Sequence, residues 1–295
     1  MTKRKGIILA GGCGSRLSPI TTAVSKHLLQ VYDKPMIYYP ISTLMLAGIR
    51  EILIISTPEH IDLYKNLIKK IGNIGVDFKF LVQEKPRGIA HGLILAEKFL
   101  NGSPCALILG DNLFYGNGFS KLLIQADKSD KGAYIFSYKV KNPNQYGVIR
   151  FNRNGEIVSI IEKPKVFVSN FAVTGLYFYD SHVVELAKKL KPSKRGELEI
   201  TDLNVQYIKN DALKVINLNR GFAWLDTGTP QGLLDSANFI ATVEKRQGIK
   251  ISCLEEIALH KSWINIIDFK KLPNYGSNSD YGNYLINLAD DFNEN

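Results

Sequence analysis

The sequence predicts an α/β protein built on a doubly wound, mixed β-sheet, with a small helical appendage at its C-terminal end. Through residues 1–111, short apolar runs alternate with helical spacing, which is typical of parallel strands joined by crossover helices. Stretches rich in β-forming residues follow, separated by turn residues such as Asn142-Pro143. From residue 249 onward the apolar residues recur at amphipathic helical spacing, which predicts the appendage.

The individual elements follow from hydrophobic periodicity and from residues that break it. Proline supports two helix starts, because Pro35 and Pro58 stand where a first helical turn accepts proline. The predicted strands are 5–9, 51–56, 77–82, 104–109, 133–140, 146–150, 157–162, 173–179 and 222–225. The predicted helices are 37–47, 58–71, 89–100, 181–190, 199–210 and 230–246.

One large domain accounts for most of the chain. Its 295 residues are enough to bury a sizeable single core, and no linker-like or repeated segment interrupts them. We therefore expect an α/β domain over residues 1–248, with a first half over 1–111 and a second half over 112–248. The appendage then covers residues 249–295.

The net charge of +9 indicates anionic ligands. The basic residues are scattered and lack interleaved aromatic residues, so small phosphates are favoured over nucleic acid. No apolar run approaches the roughly 18 residues that cross a membrane. The basic N-terminus is followed by a short apolar run, 7–10, which indicates a strand of a cytoplasmic protein and no signal peptide.

Cysteine and histidine patterns give little support for a disulfide framework or a zinc site. The three cysteines are odd in number and widely spaced, so we expect them to be reduced and without a catalytic role. The histidines show none of the close spacings that zinc sites use. These residues are Cys13, Cys105, Cys253, His27, His60, His91, His182 and His260.

A glycine-rich loop, residues 10–16, follows the first predicted strand. Its small residues let backbone N–H groups approach an anion, and a helix starting after the loop would add a positive dipole. An ordinary tight turn is the alternative for a glycine cluster alone. The added cations Arg16 and Lys26 favour a polyphosphate ligand.

Two familiar phosphate-binding loops are excluded by single residues. A Rossmann fingerprint needs a third glycine where Leu17 stands, and a Walker loop needs a glycine directly before its lysine, whereas Lys26 follows Ser25. The loop therefore belongs to neither class.

Two aspartates stand at the ends of predicted strands. Asp111 follows strand 104–109, at the edge where open α/β sheets bind ligands, and an aspartate there can hold a divalent cation. Asp226 follows strand 222–225. For each residue the alternative is a turn or helix cap, in the case of Asp226 for the helix that begins at Pro230.

Taken together, the motifs resemble those of the sugar nucleotidyltransferases, and more narrowly the bacterial subgroup that acts on glucose 1-phosphate with a thymidylyl donor. The resemblance extends over nearly the whole chain, and several motifs in one order are more specific than any one of them. The segments that carry it are 9–17, 25–26, 31–36, 109–112, 146–148, 162–164, 173–180, 195–202 and 224–229.

The resemblance implies the nucleotide-diphospho-sugar transferase fold, which is Rossmann-like, with nucleotide bound by the first half and sugar phosphate by the second. It implies Mg²⁺ on Asp111 and Asp226, and catalytic roles for Arg16, Lys26 and Lys163; two carboxylates suit Mg²⁺, which also takes phosphate oxygens and water. The implied nucleotide-binding residues are Gly11, Gly12, Gly14, Ser15, Arg16, Gln83, Gly88 and Asp111, of which Gln83 and Gly88 match the family's base-contacting pair. The implied sugar-phosphate-binding residues are Tyr146, Gly147, Glu162, Lys163, Val173, Tyr177 and Arg195.

The implied reaction joins dTTP and glucose 1-phosphate to give dTDP-glucose and pyrophosphate, the first step towards dTDP-deoxysugars such as dTDP-rhamnose. The attacking phosphate is already ionised at neutral pH, so direct in-line attack needs no protein nucleophile. The resemblance also implies a homotetramer and feedback by dTDP-sugars at a second site. That site would lie near Tyr115, Gly116, Arg220 and the segment 251–260.

Several alternatives stay open at the level of sequence. Glu162-Lys163-Pro164 could be a surface turn, and Val173 and Tyr177 could serve the core. UTP could replace dTTP, because uracil offers a glutamine the same edge as thymine. A glycosyltransferase is disfavoured because no Asp-x-Asp motif lies near Asp111, and a silent sensor is disfavoured because the charged site residues are all present. The chain departs from the family pattern at His27, Gln30, 84–87 and 117–121.

Overall fold

A nine-stranded mixed sheet forms the centre of the fold in the computed structural model, which describes residues 3–12 and 14–294. Cys13 therefore lies outside the described residues. The strands are β1 (Lys5–Leu9), β2 (Gln30–Val31), β3 (Lys34–Pro35), β4 (Glu51–Ser56), β5 (Asp77–Val82), β6 (Cys105–Leu109), β7 (Asn112–Gly116), β8 (Ala133–Lys139), β9 (Gly147–Phe151), β10 (Ile157–Glu162), β11 (Phe171–Tyr179), β12 (Leu213–Leu218) and β13 (Phe222–Asp226).

Helices cover both faces of this sheet and build the C-terminal end of the chain. The α-helices are α1 (Tyr38–Leu46), α2 (Ile61–Ile71), α3 (Ile89–Leu95), α4 (Glu97–Leu100), α5 (Phe119–Asp127), α6 (Val183–Lys188), α7 (Ile200–Lys209), α8 (Pro230–Gln247), α9 (Leu254–His260), α10 (Ile266–Phe269) and α11 (Asp280–Glu294). No helix in the described part of the chain is long and apolar enough to span a membrane.

The sheet order is β10-β9-β11-β6-β1-β4-β5, with β8 on β11 and β12 on β8. Strands β6, β1, β4 and β5 are mutually parallel, as the alternation of apolar runs and helices predicts. Strand β11 joins β6 in antiparallel orientation, and it links the first half of the sheet to the second. The predicted doubly wound mixed sheet is confirmed.

Parallel strands buried on both faces explain the unbroken apolar runs in the sequence. On β1, Ile8 faces one core and Ile7 the other, and neither is exposed to solvent. The same alternation holds on β4 between Ile54 and Leu53. Because β6, β1, β4 and β5 are parallel, the carboxyl ends of β1, β5 and β6 lie at one edge of the sheet.

The sequence analysis missed several elements and one interruption within a predicted helix. Helix 89–100 is divided at Ala96 into α3 and α4. Strand β12, an edge strand whose residues alternate between polar and apolar, was missed. The other missed elements are β2, β3, β7 and α5.

The C-terminal appendage is helical, as predicted, and it packs on α1 through α9. A buried ring of four charges ties it to the body, in which Lys34 and Lys250 each bond to both Asp33 and Glu244. The fully buried Glu255 on α9 accepts hydrogen bonds from Tyr281 of α11, at 2.6 Å, and from Asn274, at 2.9 Å. The division at residues 248 and 249 stays a prediction.

Candidate active site

One cleft of about 930 Å³ lies at the carboxyl ends of β1 and β6, where the two halves of the sheet meet. Every residue that the sequence nominated for the site lines this cleft. These residues are Gly11, Gly12, Gly14, Ser15, Arg16, Lys26, Gln83, Gly88, Asp111, Tyr146, Gly147, Glu162, Lys163, Val173, Tyr177, Arg195 and Asp226.

The glycine-rich loop leaves β1 and turns sharply at Gly14, whose φ of 62° lies in the left-handed region. A Cβ at Gly14 would lie 2.8 Å from the Thr21 side chain, so both conformation and space require glycine there. A 3₁₀ turn, Ser15–Leu17, follows the loop, so the dipole of a longer helix is not available there. Pro19 has no N–H with which to continue a helix.

Arg16 is exposed on the cleft wall, and its guanidinium lies against Gly228 beside Asp226. A Cβ at Gly228 would be 2.8 Å from Arg16 Nη2 and 2.9 Å from Asp226 Oδ1. The Gly228 backbone N–H donates to Asp226 Oδ1 at 2.9 Å, which holds that carboxylate in place. A glycine at position 228 thus lets Arg16 and Asp226 share one corner of the cleft.

Lys26 and Asp111 form an ion pair inside the cleft wall. Burial acts to raise the pKa of Asp111, but the Lys26 ammonium and a hydrogen bond from Asn112 outweigh it, so this pKa lies below its ordinary value. Asp111 is therefore an ionised carboxylate at neutral pH. Lys26 is only 6% exposed, so the ion pair lies largely out of contact with solvent.

Asp226 and Asp111 are brought together by the antiparallel pair β7 and β13. Asp226 pairs with Asn112 in the ladder, and the Thr227 hydroxyl donates to the Asp111 backbone carbonyl at 2.9 Å. Burial and the negative charge of Asp111 raise the pKa of Asp226. Protein cations alone therefore leave the two carboxylates in repulsion, which a divalent cation would relieve.

Asp111 and Asp226 are the residues of the cleft that could hold a divalent cation. No group of three or more His, Cys, Asp and Glu side chains suited to a metal occurs among residues 3–12 and 14–294. Two carboxylates are enough for a cation such as Mg²⁺, which keeps several waters and takes phosphate oxygens.

Asn112 is a buried polar hub that the sequence analysis did not single out. Its Oδ1 accepts from Gly175 N at 3.0 Å and from Trp224 Nε1 at 2.6 Å, and its Nδ2 donates to Asp111 Oδ1 at 3.0 Å. Both the oxygen and the nitrogen of the Asn112 side-chain amide are thus hydrogen-bonded, and the bond from Nδ2 orients the Asp111 carboxylate. Its place beside Asp111 in sequence was a signal, but its bond to Trp224 depends on the pairing of β7 with β13.

Another part of the cleft centres on Glu162, the last residue of β10. Its Oε2 accepts from the Thr201 hydroxyl at 2.6 Å, a contact that the sequence did not reveal. Gly147 faces Glu162 across the strand pair, and a Cβ at Gly147 would lie 3.2 Å from that hydroxyl. Lys163 follows with a φ of 42°, and its half-exposed ammonium lies 3.9 Å from Glu162 Oε1.

Three further nominated residues lie at the cleft with little freedom. Val173 and Tyr177 on β11 line the cleft and are also buried in the core, and their contact with a sugar stays a prediction. The Arg195 guanidinium bonds to both oxygens of Glu199, at 2.9 and 3.0 Å. Arg195 therefore lies at the cleft with its charge already paired.

The nominated base-contacting pair, Gln83 and Gly88, lies in the segment between the end of β5 and the start of α3. Gly88 has a φ of 93°, and a Cβ there would lie 2.4 Å from the Leu198 carbonyl oxygen. Gln83 follows β5, and its Nε2 lies 3.0 Å from His91 Nδ1. Gln83 Oε1 lies near the glycine-rich loop, 3.4 Å from a Cβ built on Gly11.

The buried His27 ring should make the stability of the fold sensitive to acid. Complete burial lowers the pKa of this ring to about 4, compared with 6.5 when exposed. The unfolded chain then binds the proton more readily, so the free energy of unfolding should fall as pH drops from about 6.5 to 4, by about 3 kcal/mol in all. We expect His27→Gln to flatten this part of the curve in thermal denaturation measured from pH 7 to pH 4.

The exposed His182 supplies the control, because His182→Gln should leave the pH dependence of the parent protein unchanged. Equal slopes for His27→Gln and the parent protein would contradict the assignment of this acid sensitivity to His27.

Comparison with known proteins assigns the chain to a family. The family model described as nucleotidyl transferase matches residues 5–243. The chain belongs to the nucleotidyl transferase family, and it is an enzyme of the nucleotidyltransferase class. This membership confirms the family predicted from the motifs, and it indicates in general terms that a divalent metal takes part.

Full-length relatives share one name. The chain is 51% identical over 289 residues to the glucose-1-phosphate thymidylyltransferase of Xanthomonas campestris pv. campestris, with 98% of each chain covered. It is 46% identical over 286 residues to the glucose-1-phosphate thymidylyltransferase of Mycobacterium tuberculosis, with 97% of this chain and 99% of the relative covered.

Solved structures share the fold. A glucose-1-phosphate thymidylyltransferase structure from Bacillus anthracis, in complex with sucrose, has a TM-score of 0.73 and 40% identity, with 80% of this chain and 94% of that chain covered. A UDP-glucose pyrophosphorylase complexed with UDP-glucose has a TM-score of 0.71 and 25% identity, with 83% of this chain and 100% of that chain covered. The predicted fold class is thereby confirmed.

Proposed function

We propose that this enzyme transfers the thymidylyl group of dTTP to glucose 1-phosphate and releases pyrophosphate. The observation that carries the proposal is a single cleft that holds both a cationic glycine-rich corner and a sugar-side segment. Arg16 and Lys26 line one part of this cleft, and Glu162 and Lys163 line another. The two substrates of such a transfer would meet between these parts, beside Asp111 and Asp226.

Catalysis by these residues would consist of alignment and charge neutralisation. Lys163 would hold the attacking phosphate, Lys26 would steady the triphosphate, and Arg16 would support the departing pyrophosphate. Asp111 and Asp226 would hold Mg²⁺, which would supply positive charge that neutralises the phosphates of the substrates. The sugar phosphate would attack the α-phosphorus directly, since its oxygen is already ionised and needs no base.

The remaining nominated residues would position the substrates. Gly11, Gly12, Gly14 and Ser15 would present backbone N–H groups to phosphate oxygens. Tyr146, Gly147, Glu162, Val173 and Tyr177 would surround the sugar, and Arg195 would lie near its phosphate. The Thr201 hydroxyl occupies Oε2 of Glu162. The other oxygen, Oε1, lies 3.9 Å from the Lys163 ammonium and suits a sugar hydroxyl.

Uridylyl transfer is the second candidate, because uracil presents the same imide edge as thymine and because a UDP-glucose pyrophosphorylase shares the fold. Pyrophosphate release from dTTP and from UTP, each with glucose 1-phosphate and Mg²⁺, separates the two. We expect the kcat/KM for dTTP to exceed that for UTP. The reverse order would make the enzyme a uridylyltransferase, and no release from any nucleotide would favour a sensor.

Assembly and regulation are further parts of the proposal. We infer a cytoplasmic homotetramer with a feedback site for dTDP-sugars near Tyr115, Gly116, Arg220 and 251–260, on the basis of the resemblance of the sequence. The Tyr115 hydroxyl donates to Gln247 at 3.1 Å, and Arg220 is exposed. Much of 251–260 is buried within the chain, so an effector would contact its exposed edge.

A further inference from the structure

Arg195, the nominated sugar-phosphate contact, stands in a tight turn at the cleft, residues 193–197. The Ser193 backbone N–H donates to the Glu197 carbonyl, and the Gly196 N–H donates to the Ser193 carbonyl, both at 2.8 Å. The backbone N–H of Arg195 donates to the Ser193 hydroxyl at 3.2 Å. The backbone at Arg195 is therefore fixed, whereas its long side chain needs a partner to hold one direction.

Glu199 supplies that partner. Its two oxygens accept from Arg195 Nη2 at 2.9 and 3.0 Å, and Oε1 also accepts from the Ser193 hydroxyl at 2.7 Å. The Glu199 side chain is 14% exposed and that of Arg195 is 48% exposed, so the carboxylate is the recessed partner. Glu199 directly precedes α7, but its side chain does not cap that helix. The carboxylate therefore serves the 193–197 turn and not the helix.

The ion pair leaves part of the guanidinium available. Glu197 Oε2 lies 3.4 Å from Nη2, so every carboxylate contact of Arg195 in the described part of the chain uses this one nitrogen. The N–H groups of Nη1 and Nε remain as donors. An arginine held through one nitrogen can therefore still donate to a phosphate oxygen through another.

We propose that Glu199 is a positioning residue for the sugar phosphate: by binding Nη2 of Arg195, it orients the guanidinium so that the remaining N–H groups meet the phosphate of the sugar substrate. This inference rests on the proposed contact between Arg195 and that phosphate. An arginine without a partner samples many rotamers, and a substrate that had to order it would bind more weakly. Glu199 acts through Arg195 in this arrangement.

The experiment measures kcat and the KM of each substrate in variants of Glu199. Glu199→Ala should raise the KM for glucose 1-phosphate about three- to tenfold, the effect of leaving one long side chain for the substrate to order, with kcat and the KM for dTTP within about twofold of the parent values. Glu199→Gln keeps an oxygen that can accept from both Ser193 and Arg195, so it should raise this KM less. Glu185→Ala removes an exposed carboxylate of α6 and is the matched control, with parent kinetics expected.

A double-mutant cycle shows whether Glu199 acts through Arg195. Arg195→Ala should raise the KM for glucose 1-phosphate at least as much as Glu199→Ala does, and adding Glu199→Ala to it should have no further effect. A further rise in the double variant would show that Glu199 acts independently of Arg195, which overturns the inference.

Three other results would also contradict the role of Glu199. These are an unchanged KM in Glu199→Ala, a lower KM because the carboxylate competes with the phosphate, and equal rises in Glu199→Gln and Glu199→Ala, since orientation by hydrogen bonds would then be irrelevant. An unchanged KM in Arg195→Ala would instead overturn the proposed phosphate contact itself.

Discussion

Asp226→Asn is expected to reduce kcat/KM about a thousandfold while leaving the fold intact. The substitution keeps an oxygen that can accept from the Gly228 N–H and removes only the negative charge. One close charge pair is worth about 4 kcal/mol at an effective dielectric constant of 20, and each 1.4 kcal/mol corresponds to tenfold in rate. Pyrophosphate release measured over a range of Mg²⁺ concentrations should also show a higher half-maximal concentration.

Stability separates this loss from simple unfolding. Because burial and Asp111 raise the pKa of Asp226, its ionised form destabilises the folded state at neutral pH. The melting temperature of Asp226→Asn should therefore equal or exceed that of the parent protein. Asp235→Asn, which neutralises an exposed carboxylate on α8, is the matched control and should retain normal turnover. Near-normal turnover in Asp226→Asn would contradict the assignment of Asp226 as a metal ligand.

Arg16→Ala is expected to lower kcat by about 10²- to 10³-fold, the usual loss when one group that stabilises developing charge is removed. The side chain is exposed in the cleft, so its removal leaves no cavity in the core. Inhibition by pyrophosphate should weaken in parallel, because Arg16 is assigned to that product. The KM for glucose 1-phosphate should change little, which stopped-flow or coupled assays with each substrate varied would show.

Gly228→Ala tests the positions of Arg16 and Asp226 without removing either charge. A Cβ at position 228 would lie 2.8 Å from Arg16 Nη2 and 2.9 Å from Asp226 Oδ1, so both side chains would have to move away. An intermediate loss of kcat is expected. Arg153→Ala removes an exposed arginine from the turn between β9 and β10 and should have no effect. The assignment would be wrong if Arg16→Ala changed neither kcat nor pyrophosphate inhibition.

The central strands of the sheet could be predicted from the sequence because they are buried on both faces. Strands β1 and β4 have the predicted bounds, and each is an apolar run that periodicity detects. The edge strand β5 also has the predicted bounds, although Asp77 and Lys79 interrupt its apolar residues. The edge strand β12 and strand β7, which pairs with β13 away from the main sheet, were not predicted. Their formation depends on partners distant in sequence.

The candidate site was predicted as a set of residues but not as a set of contacts. Motifs in order nominated Lys26 and Asp111 for different ligands, whereas the structure joins them in an ion pair. Glu162 was nominated for the sugar, and the hydroxyl that holds it, on Thr201, was not. Hydrogen-bond partners of this kind depend on side-chain directions that spacing along the chain does not give.

The sequence by itself determined the class of fold, the family and the residues of the cleft, because buried strands and phosphate-binding motifs are local patterns of residue type. The tertiary structure alone decided which groups are charged, which are already paired and which stand behind the cleft wall. Asp226 and His91 illustrate the reason, since the ionisation of the first and the hydrogen bond of the second are set by burial and by neighbours from other elements.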